Sequence, residues 1–294
     1  MQIPQKLTLP ILTMDDLLME KEASKSMCRE TQAISAIGRY TNAHGQLVDI
    51  RAMRDAATQA KVAYRPGDAP LVGAPRYAQV HTYVTNQTTL AVAEARLAQG
   101  YRVAIFNLAS AVSPGGGWLK GSQAQEESLA RASVLVHTIR DDEFYFDQTH
   151  WRNPFYNDTV IVSPGVPFFR HHNGQFIDTP WQADVITSAA VHAKAVRKYL
   201  PERAGEIAPT MRQRTQKVFE VATTLDADIL ILGAWGCGAF GNYPDQIAQI
   251  MHDMMQVVDM RRFVAIDFAV VDLYDPPLNY TAFATRFDNQ VFDG

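Results

Sequence analysis

One stretch of the chain constrains its fold more than any other, because a strand, a glycine-rich loop and a helix follow one another in it. Residues 101–106 predict a buried strand, residues 123–140 predict a helix, and the loop between them contains Gly115-Gly116-Gly117. Glycine loses more conformational freedom on ordering than any other residue, so an ordered glycine triplet usually lets the backbone approach a ligand closely. Backbone N–H groups in a loop that precedes a helix bind anionic oxygens. The stretch therefore predicts an α/β unit that holds a phosphate-bearing ligand.

Strands and helices alternate along most of the chain, and this alternation predicts a layered α/β domain with a mostly parallel or mixed sheet. Thr13, followed by two acidic residues, predicts a capped helix start. No repeat or low-complexity linker divides the chain, so we expect an N-terminal helical extension over residues 1–45 and a single domain over residues 46–294. The predicted helices are 13–40, 88–99, 210–225 and 243–258, and the other predicted strands are 47–50, 78–85, 158–163, 184–188, 228–232 and 263–271.

Composition and charge argue against several function classes. The net charge of −4 provides no basic field for nucleic acid or an anionic membrane. No run approaches the roughly 18 apolar residues of a spanning helix, and no signal-peptide pattern opens the chain. Cys28 and Cys237 are the only cysteines, too few for a disulfide framework or a cysteine-rich zinc site. His171-His172 has no acidic or cysteine partner at ligand spacing, so we expect no metal and a soluble, cytoplasmic monomer.

Glu126 and Glu127 are the candidate acid and base, since they lie just after the glycine-rich loop, near the start of the predicted helix. Acidic residues in a first helical turn also occur simply because they complement the helix dipole. Consecutive helix residues point about 100° apart, so these two carboxyls are poorly placed to flank one bond as acid and nucleophile. The better interpretation is that one carboxyl holds the substrate and the other transfers the proton.

A second glycine-rich loop supports a different interpretation. Gly236, Gly238 and Gly241 match G-x-G-x-x-G between a strand and a helix, as in a dinucleotide-binding Rossmann turn. Two facts argue against that fold: the strand lies late in the chain, and Asp272 lies well beyond the roughly 20 residues at which a ribose-binding acid is expected. A glycine loop for a diphosphate fits both interpretations. Cys237 has no adjacent histidine to activate it, so packing is its expected role.

The run from Asn107 to Arg131, with its glycine triplet and Gln-Glu-Glu, resembles the bacterial-type poly(ADP-ribose) glycohydrolases, a macrodomain-related family. Segments 163–170 and 232–242 fit the same family in the same order. The resemblance implies a macrodomain-like, three-layer α/β/α fold with a mixed sheet, plus the N-terminal helical extension. It also implies a glycoside hydrolase that cleaves ribose–ribose O-glycosidic bonds of poly(ADP-ribose), mainly from the chain end, and releases ADP-ribose. Neither a metal nor a redox cofactor is required.

The family assigns roles to individual positions of this chain. By resemblance, Glu127 is the catalytic acid and Glu126 orients the ribose, while Asn107 and Phe240 contact the distal ribose. At Val191-His192 the chain departs from the Pro and Asn of the family, on the far side of the ligand pocket. The remaining substrate-binding positions implied by the family are Gly115, Gly116, Gly117, Gln125, Thr187, Ser188, Gly233, Gly236, Cys237, Gly238 and Ala239.

Three alternatives to the polymer hydrolase stay open. The first is a hydrolase of mono-ADP-ribose on a protein side chain such as arginine, which would use the same pocket. The second is a non-catalytic ADP-ribose-binding module, against which the intact glutamate pair argues. The third is a Rossmann-type dinucleotide enzyme, in which Glu127 has no role. An aromatic-rich stretch can supply an adenine contact, a core contact or a lid, and it comprises Tyr145, Phe146, Trp151 and Tyr156.

Overall fold

The structure is a computed structural model and describes residues 3–293. The strands in these residues are β1 (Arg39–Thr41), β2 (Leu47–Asp49), β3 (Val62–Tyr64), β4 (Gln79–Thr85), β5 (Val103–Ala109), β6 (Val160–Arg170), β7 (Phe176–Ala189), β8 (Ile229–Leu232), β9 (Ala265–Ala269) and β10 (Gln290–Asp293). The α-helices are α1 (Met14–Leu17), α2 (Lys21–Ile37), α3 (Arg51–Gln59), α4 (Thr89–Ala98), α5 (Gln125–Ala132), α6 (Leu135–Ile139), α7 (Ala193–Tyr199), α8 (Ile207–Thr223), α9 (Pro244–Met255) and α10 (Leu278–Phe287).

Within the described chain, eight strands form one mixed sheet in the order β10-β4-β9-β8-β5-β7-β6-β3. Five neighbouring strands run parallel, and in sheet order they are β4, β9, β8, β5 and β7. The strands β10, β6 and β3 pair antiparallel with their neighbours. The strands β1 and β2 form a separate, two-stranded antiparallel sheet. Because the carboxyl ends of parallel strands meet at one edge of a sheet, β9, β8, β5 and β7 deliver their following loops to the same place.

Alternating side chains of the central strand β5 bury the two faces of the sheet. Val103 and Ile105 pack in a core with residues of α2 to α6, whereas Ala104 and Phe106 pack in a second core with residues of α7 to α10. Successive strand residues point to opposite faces, so a strand covered on both sides is apolar over most of its length. The prediction of a three-layer α/β/α domain with a mixed sheet is confirmed.

The prediction of a single helix over residues 13–40 is wrong, because two helices, α1 and α2, occupy this region. Thr13 caps the helix start as predicted, and its side chain forms a capping box with Asp16, but α1 ends at Leu17 because the backbone of Leu18 is extended. The carboxylate of Glu20 accepts from two N–H groups of the next helix and starts α2 afresh. The proposed boundary at residue 45 lies in the turn between the paired strands β1 and β2, so the division at that point stays a prediction.

The helix predicted over residues 123–140 is also interrupted. Ser133 is extended and pairs with Phe168 of β6 as an isolated bridge, which separates α5 from α6. The strands predicted at 158–163 and 184–188 are parts of the long hairpin of β6 and β7. No helix within residues 3–293 is long and apolar enough to cross a membrane.

Candidate active site

A cleft of about 940 Å³ opens where the parallel strands end. Its lining comes from the loop after β5, the start of α5, the loop after β8 and the segment after β9, together with Asp15–Met19 of the N-terminal region. The crevice outside the carboxyl ends of the strands is the usual place for a ligand in an open α/β sheet. The cleft therefore gathers the segments singled out in the sequence.

Gln125 anchors the first turn of α5 to the end of β5. Its Oε1 accepts a hydrogen bond from the backbone N–H of Leu108 at 3.0 Å, and its Nε2 donates to the carbonyl of Phe106 at 2.8 Å. Nε2 also donates to Thr89 Oγ1 at 3.3 Å. Gln125 lines the cleft, but these contacts occupy its amide. The observed contacts position the two glutamates that follow.

The Glu126 carboxyl is buried and held by two backbone groups. Its Oε2 accepts from the N–H of Ser110 at 2.7 Å, and its Oε1 accepts from the N–H of Gly115 at 3.1 Å. Burial raises the pKa of Glu126 to about 8, the N–H of Ser110 opposes this shift, and the charge of Glu127 adds to it. Such a carboxyl favours its neutral form near neutral pH, and it lies at the cleft wall.

The Glu127 carboxyl has one engaged oxygen and one open oxygen. Oε1 accepts from the N–H of Gly117 at 2.8 Å, while Oε2 has no hydrogen-bond partner within residues 3–293. The residue is 8% exposed and lines the cleft. A positioned carboxyl with an unoccupied oxygen facing a cleft can transfer a proton to or from a bound ligand.

The N–H groups of the glycine triplet donate to acceptors of the protein itself in this structure, and phosphate binding by this loop stays a prediction. The N–H groups of Gly115 and Gly117 donate to Glu126 and Glu127, and the N–H of Gly116 donates to the carbonyl of Ser113 at 2.8 Å. Gly116 has a left-handed backbone at φ 63°, and a Cβ there would lie 2.5 Å from Glu127 Oε1 and 2.9 Å from Glu126 Oε2. Glycine is therefore required at position 116 so that both carboxylates reach one turn.

The second glycine loop presents free donors to the cleft. The N–H groups of Gly236, Gly238, Ala239 and Phe240 have no acceptor in the described part of the chain, and all four residues line the cleft. Neighbouring N–H groups of the same loop close short turns, such as that from Cys237 to the carbonyl of Ala234 at 3.1 Å. A set of unpaired backbone donors in a turn suits an anion.

Cys237 lies in this loop as a packed thiol. Burial raises the pKa of Cys237 to about 12, so the side chain stays protonated at neutral pH. Its sulfur lies 3.7 Å from the carbonyl of Trp235, to which it donates. The protonated state argues against a nucleophilic role.

Several predicted positions lie below the cleft rather than on its surface. Asn107 is fully buried, with Nδ2 donating to Thr187 Oγ1 at 3.3 Å, and Ser188 donates to the carbonyl of Thr159 at 3.1 Å. Gly233 packs under the carbonyl of Ala269, which a Cβ would approach to 3.2 Å. None of Asn107, Thr187, Ser188, Gly233 and Gly115 is a lining residue of this cleft. Direct ligand contact by these side chains stays a prediction.

Other cleft residues were not predicted from the sequence. Gln123 and the backbone of Met19 form two hydrogen bonds, of 2.9 and 2.8 Å, which hold the N-terminal segment beside α5. Lys120, Arg131 and His172 add charged or polar groups to the same wall. No local pattern marks a contact between residues 104 positions apart.

The histidine pair and the aromatic stretch lie at the edges of the site. His171 pairs with Glu94 at 2.9 Å, and residues 3–293 contain no group of three or more His, Cys, Asp or Glu side chains placed to hold a metal. Phe146 and Trp151 are exposed, whereas Tyr145 and Tyr156 pack against other rings. None of these four aromatic residues lines the cleft.

Comparison with known proteins gives one family. The model of the microbial-type PARG catalytic domain matches residues 28–171. The poly(ADP-ribose) glycohydrolase of Thermomonospora curvata is 35% identical, with a TM-score of 0.81 over 90% of this chain and all of that one. Its complex with the inhibitor ADP-HPD is 34% identical over the same shares, with a TM-score of 0.80. The Deinococcus radiodurans enzyme with ADP-ribose is 31% identical, with a TM-score of 0.73 over 81% of this chain and 98% of that one. No curated protein sequence matches significantly.

Proposed function

Because the chain belongs to the microbial-type poly(ADP-ribose) glycohydrolase family, we propose that it hydrolyses poly(ADP-ribose) and releases ADP-ribose. The substrate bond is the ribose–ribose O-glycosidic bond, and attack proceeds mainly from the chain end. The fold is macrodomain-like, and the proposed chemistry needs neither a metal nor a redox cofactor. The observation that supports this proposal best is the open oxygen of Glu127 beside a buried Glu126, in a cleft with free backbone donors.

Glu127 is the acid and base of the proposed reaction. Its carboxylic acid protonates the departing ribose oxygen, and the sugar passes through an oxocarbenium-like state. The deprotonated carboxylate then takes a proton from a water that attacks C1 of that sugar, which restores the acid. The Gly117 N–H fixes one oxygen of Glu127, so the other, Oε2, is the one that moves the proton.

The groups around Glu127 bind different parts of the ADP-ribose unit. Glu126 orients the hydroxyl groups of the distal ribose. Burial raises the pKa of Glu126, and the nearby Asn107 amide opposes that rise. The free N–H groups at positions 236 and 238–240 bind the diphosphate. The ring of Phe240 packs on the distal ribose. The protein acts as a monomer in the cytoplasm, where its two free thiols, Cys28 and Cys237, stay reduced.

Release of ADP-ribose from poly(ADP-ribose) by wild type and Glu127→Gln tests the proposal. The glutamine amide keeps a carbonyl oxygen that can accept from the N–H of Gly117, but it has no acidic proton to transfer. Release is therefore expected to fall by at least about 10²–10⁴-fold. Glu202→Gln, at an exposed glutamate, is the matched control and should keep wild-type release.

ADP-ribose affinity, measured by calorimetry, separates the possible failures. Binding by Glu127→Gln without release is the expected result. A wild-type protein that binds ADP-ribose but releases none from the polymer would contradict the polymer assignment. Release from mono-ADP-ribosylated arginine would then identify the alternative hydrolase, and no release from either substrate would identify a binding module.

A further inference from the structure

Phe240 is supported from behind by a histidine ring that has no part in the proposed reaction. The ring of His192 stacks on Phe240 with 4.6 Å between centroids and 11° between planes. Tyr156 contacts Phe240 from another direction, with centroids 6.0 Å apart and planes at 46°. Two neighbouring rings in different orientations restrict both the tilt and the swing of Phe240, which lines the cleft.

His192 is itself held in place at both its backbone and its ring. Its backbone N–H donates to the carbonyl of Pro154 at 2.8 Å, and its Nδ1 accepts from the N–H of Ala195 at 3.3 Å as the N-cap of α7. An accepting Nδ1 places the ring proton of the neutral imidazole on Nε2. Burial, followed by the charge of Lys194, lowers the pKa of His192 and favours that neutral form.

The first turns of α7 also hold the main chain around Phe240. The N–H of Lys194 donates to the Phe240 carbonyl at 2.8 Å, and the Arg197 guanidinium donates to the carbonyl of Gly241. Tyr156 has a left-handed backbone at φ 58°, which is uncommon for a residue with a bulky side chain. Its N–H donates to the carbonyl of Asn153 at 3.0 Å and closes the turn that presents its ring. The surroundings of Phe240 thus fix both its backbone and its ring.

We propose that His192 is a positioning residue, whose stacked ring sets the orientation of Phe240 and thereby that of the distal ribose against Glu127. This inference rests on the proposed function, in which Phe240 packs on the ribose. A ring that stands behind a ligand-contacting ring contributes to the geometry of the bound sugar without touching it. Loss of the stack should therefore lower kcat more than it weakens binding of the product ADP-ribose.

Two substitutions at His192 separate the ring from the cap. His192→Ser keeps a good capping oxygen and removes the ring, whereas His192→Phe keeps a ring and removes the cap. We expect the serine variant to lose about 3- to 10-fold in kcat for ADP-ribose release, as the loss of one aromatic pair implies. We expect the phenylalanine variant to stay within about twofold of wild type in kcat although its melting temperature falls. A purely structural role for His192 predicts the reverse order, and lower activity in His192→Phe than in His192→Ser would overturn the inference.

The Phe240→Ala variant distinguishes a failure of the proposed function from a failure of the role inferred for His192. If Phe240→Ala changes neither release nor ADP-ribose affinity, the ribose contact in the proposed function is wrong, and the inference falls with it. If Phe240→Ala lowers release and His192→Ser does not, only the role of His192 is overturned. Circular dichroism checks that each variant folds, and His192→Thr, another capping residue without a ring, replaces an unfolded serine variant with the same expected result.

Discussion

Replacement of Gly116 by alanine tests whether the glycine triplet exists to bring two carboxylates onto one backbone turn. A Cβ at this position would lie 2.5 Å from Glu127 Oε1 and 2.9 Å from Glu126 Oε2, whereas ordinary contact begins at 3.4 Å. The nearer oxygen must therefore move by about 0.9 Å, the difference between 3.4 and 2.5 Å. A displacement of about 1 Å in a reacting group costs on the order of 10²-fold in rate, so we expect Gly116→Ala to lose about that much in kcat.

Backbone strain must be separated from displacement of the carboxylates. Alanine at the left-handed φ of 63° costs roughly 1–2 kcal/mol in stability, whatever lies nearby. Gly67 is the matched control, because its φ is 89° and a Cβ there would meet nothing within 4 Å. Gly67→Ala should therefore lose stability of the same order and keep its activity. Thermal denaturation measures the first effect, and ADP-ribose release from poly(ADP-ribose) measures the second. Release by Gly116→Ala within about threefold of the Gly67→Ala rate would refute the reasoning.

Two further predictions concern buried charge. The folded-state pKa of Glu126, about 8, lies above the ordinary value of 4.5, so the folded protein binds more protons than the unfolded chain between these values and loses stability as pH rises through them. In thermal denaturation, the melting temperature of wild type relative to Glu126→Gln should therefore fall from about pH 5 to about pH 8 and then level off, and a constant difference would count against the shifted pKa. Asp267→Asn should cost about 3–5 kcal/mol in urea unfolding, because it leaves Arg96 buried without its bidentate partner at 2.7 and 2.8 Å. Asp245→Asn, in the exposed pair with Arg286, should cost less than about 1 kcal/mol, and equal losses in the two variants would contradict this account.

The layers of the fold could be predicted because their signals are local. The strands β5, β8 and β9 are buried on both faces, and each is a mostly apolar run that stands out from the sequence around it. The signal for a helix start capped by Thr13 was also local, and that prediction was confirmed. The interruption of the helix at Ser133 could not be predicted in this way, because it follows from a bridge to Phe168, which lies on a distant strand. Tertiary pairing overrides helix propensity at that point.

The candidate site was predicted in its residue types and only partly in its geometry. The sequence placed Glu126 and Glu127 beside the glycine triplet, and the structure brings them together. It could not tell whether the N–H groups of the triplet bind a phosphate or the carboxylates of the protein itself, since both present anionic oxygens to the same donors. The stack of His192 on Phe240 was missed because the two residues lie 48 positions apart and no periodic pattern links them.

The proposed function gives the two glycine loops different roles, and there is a physical reason for the difference. If a diphosphate occupied the N–H groups of Gly115 and Gly117, Glu126 would keep only the N–H of Ser110, and Glu127 would lose its one backbone partner. The free donors at positions 236 and 238–240 involve no such conflict, since no protein acceptor within residues 3–293 competes for them. The strands that precede the two loops, β5 and β8, are direct neighbours in the sheet. In the proposed function the diphosphate and the distal ribose therefore bind side by side, and the two glutamates keep their backbone partners when the ligand binds.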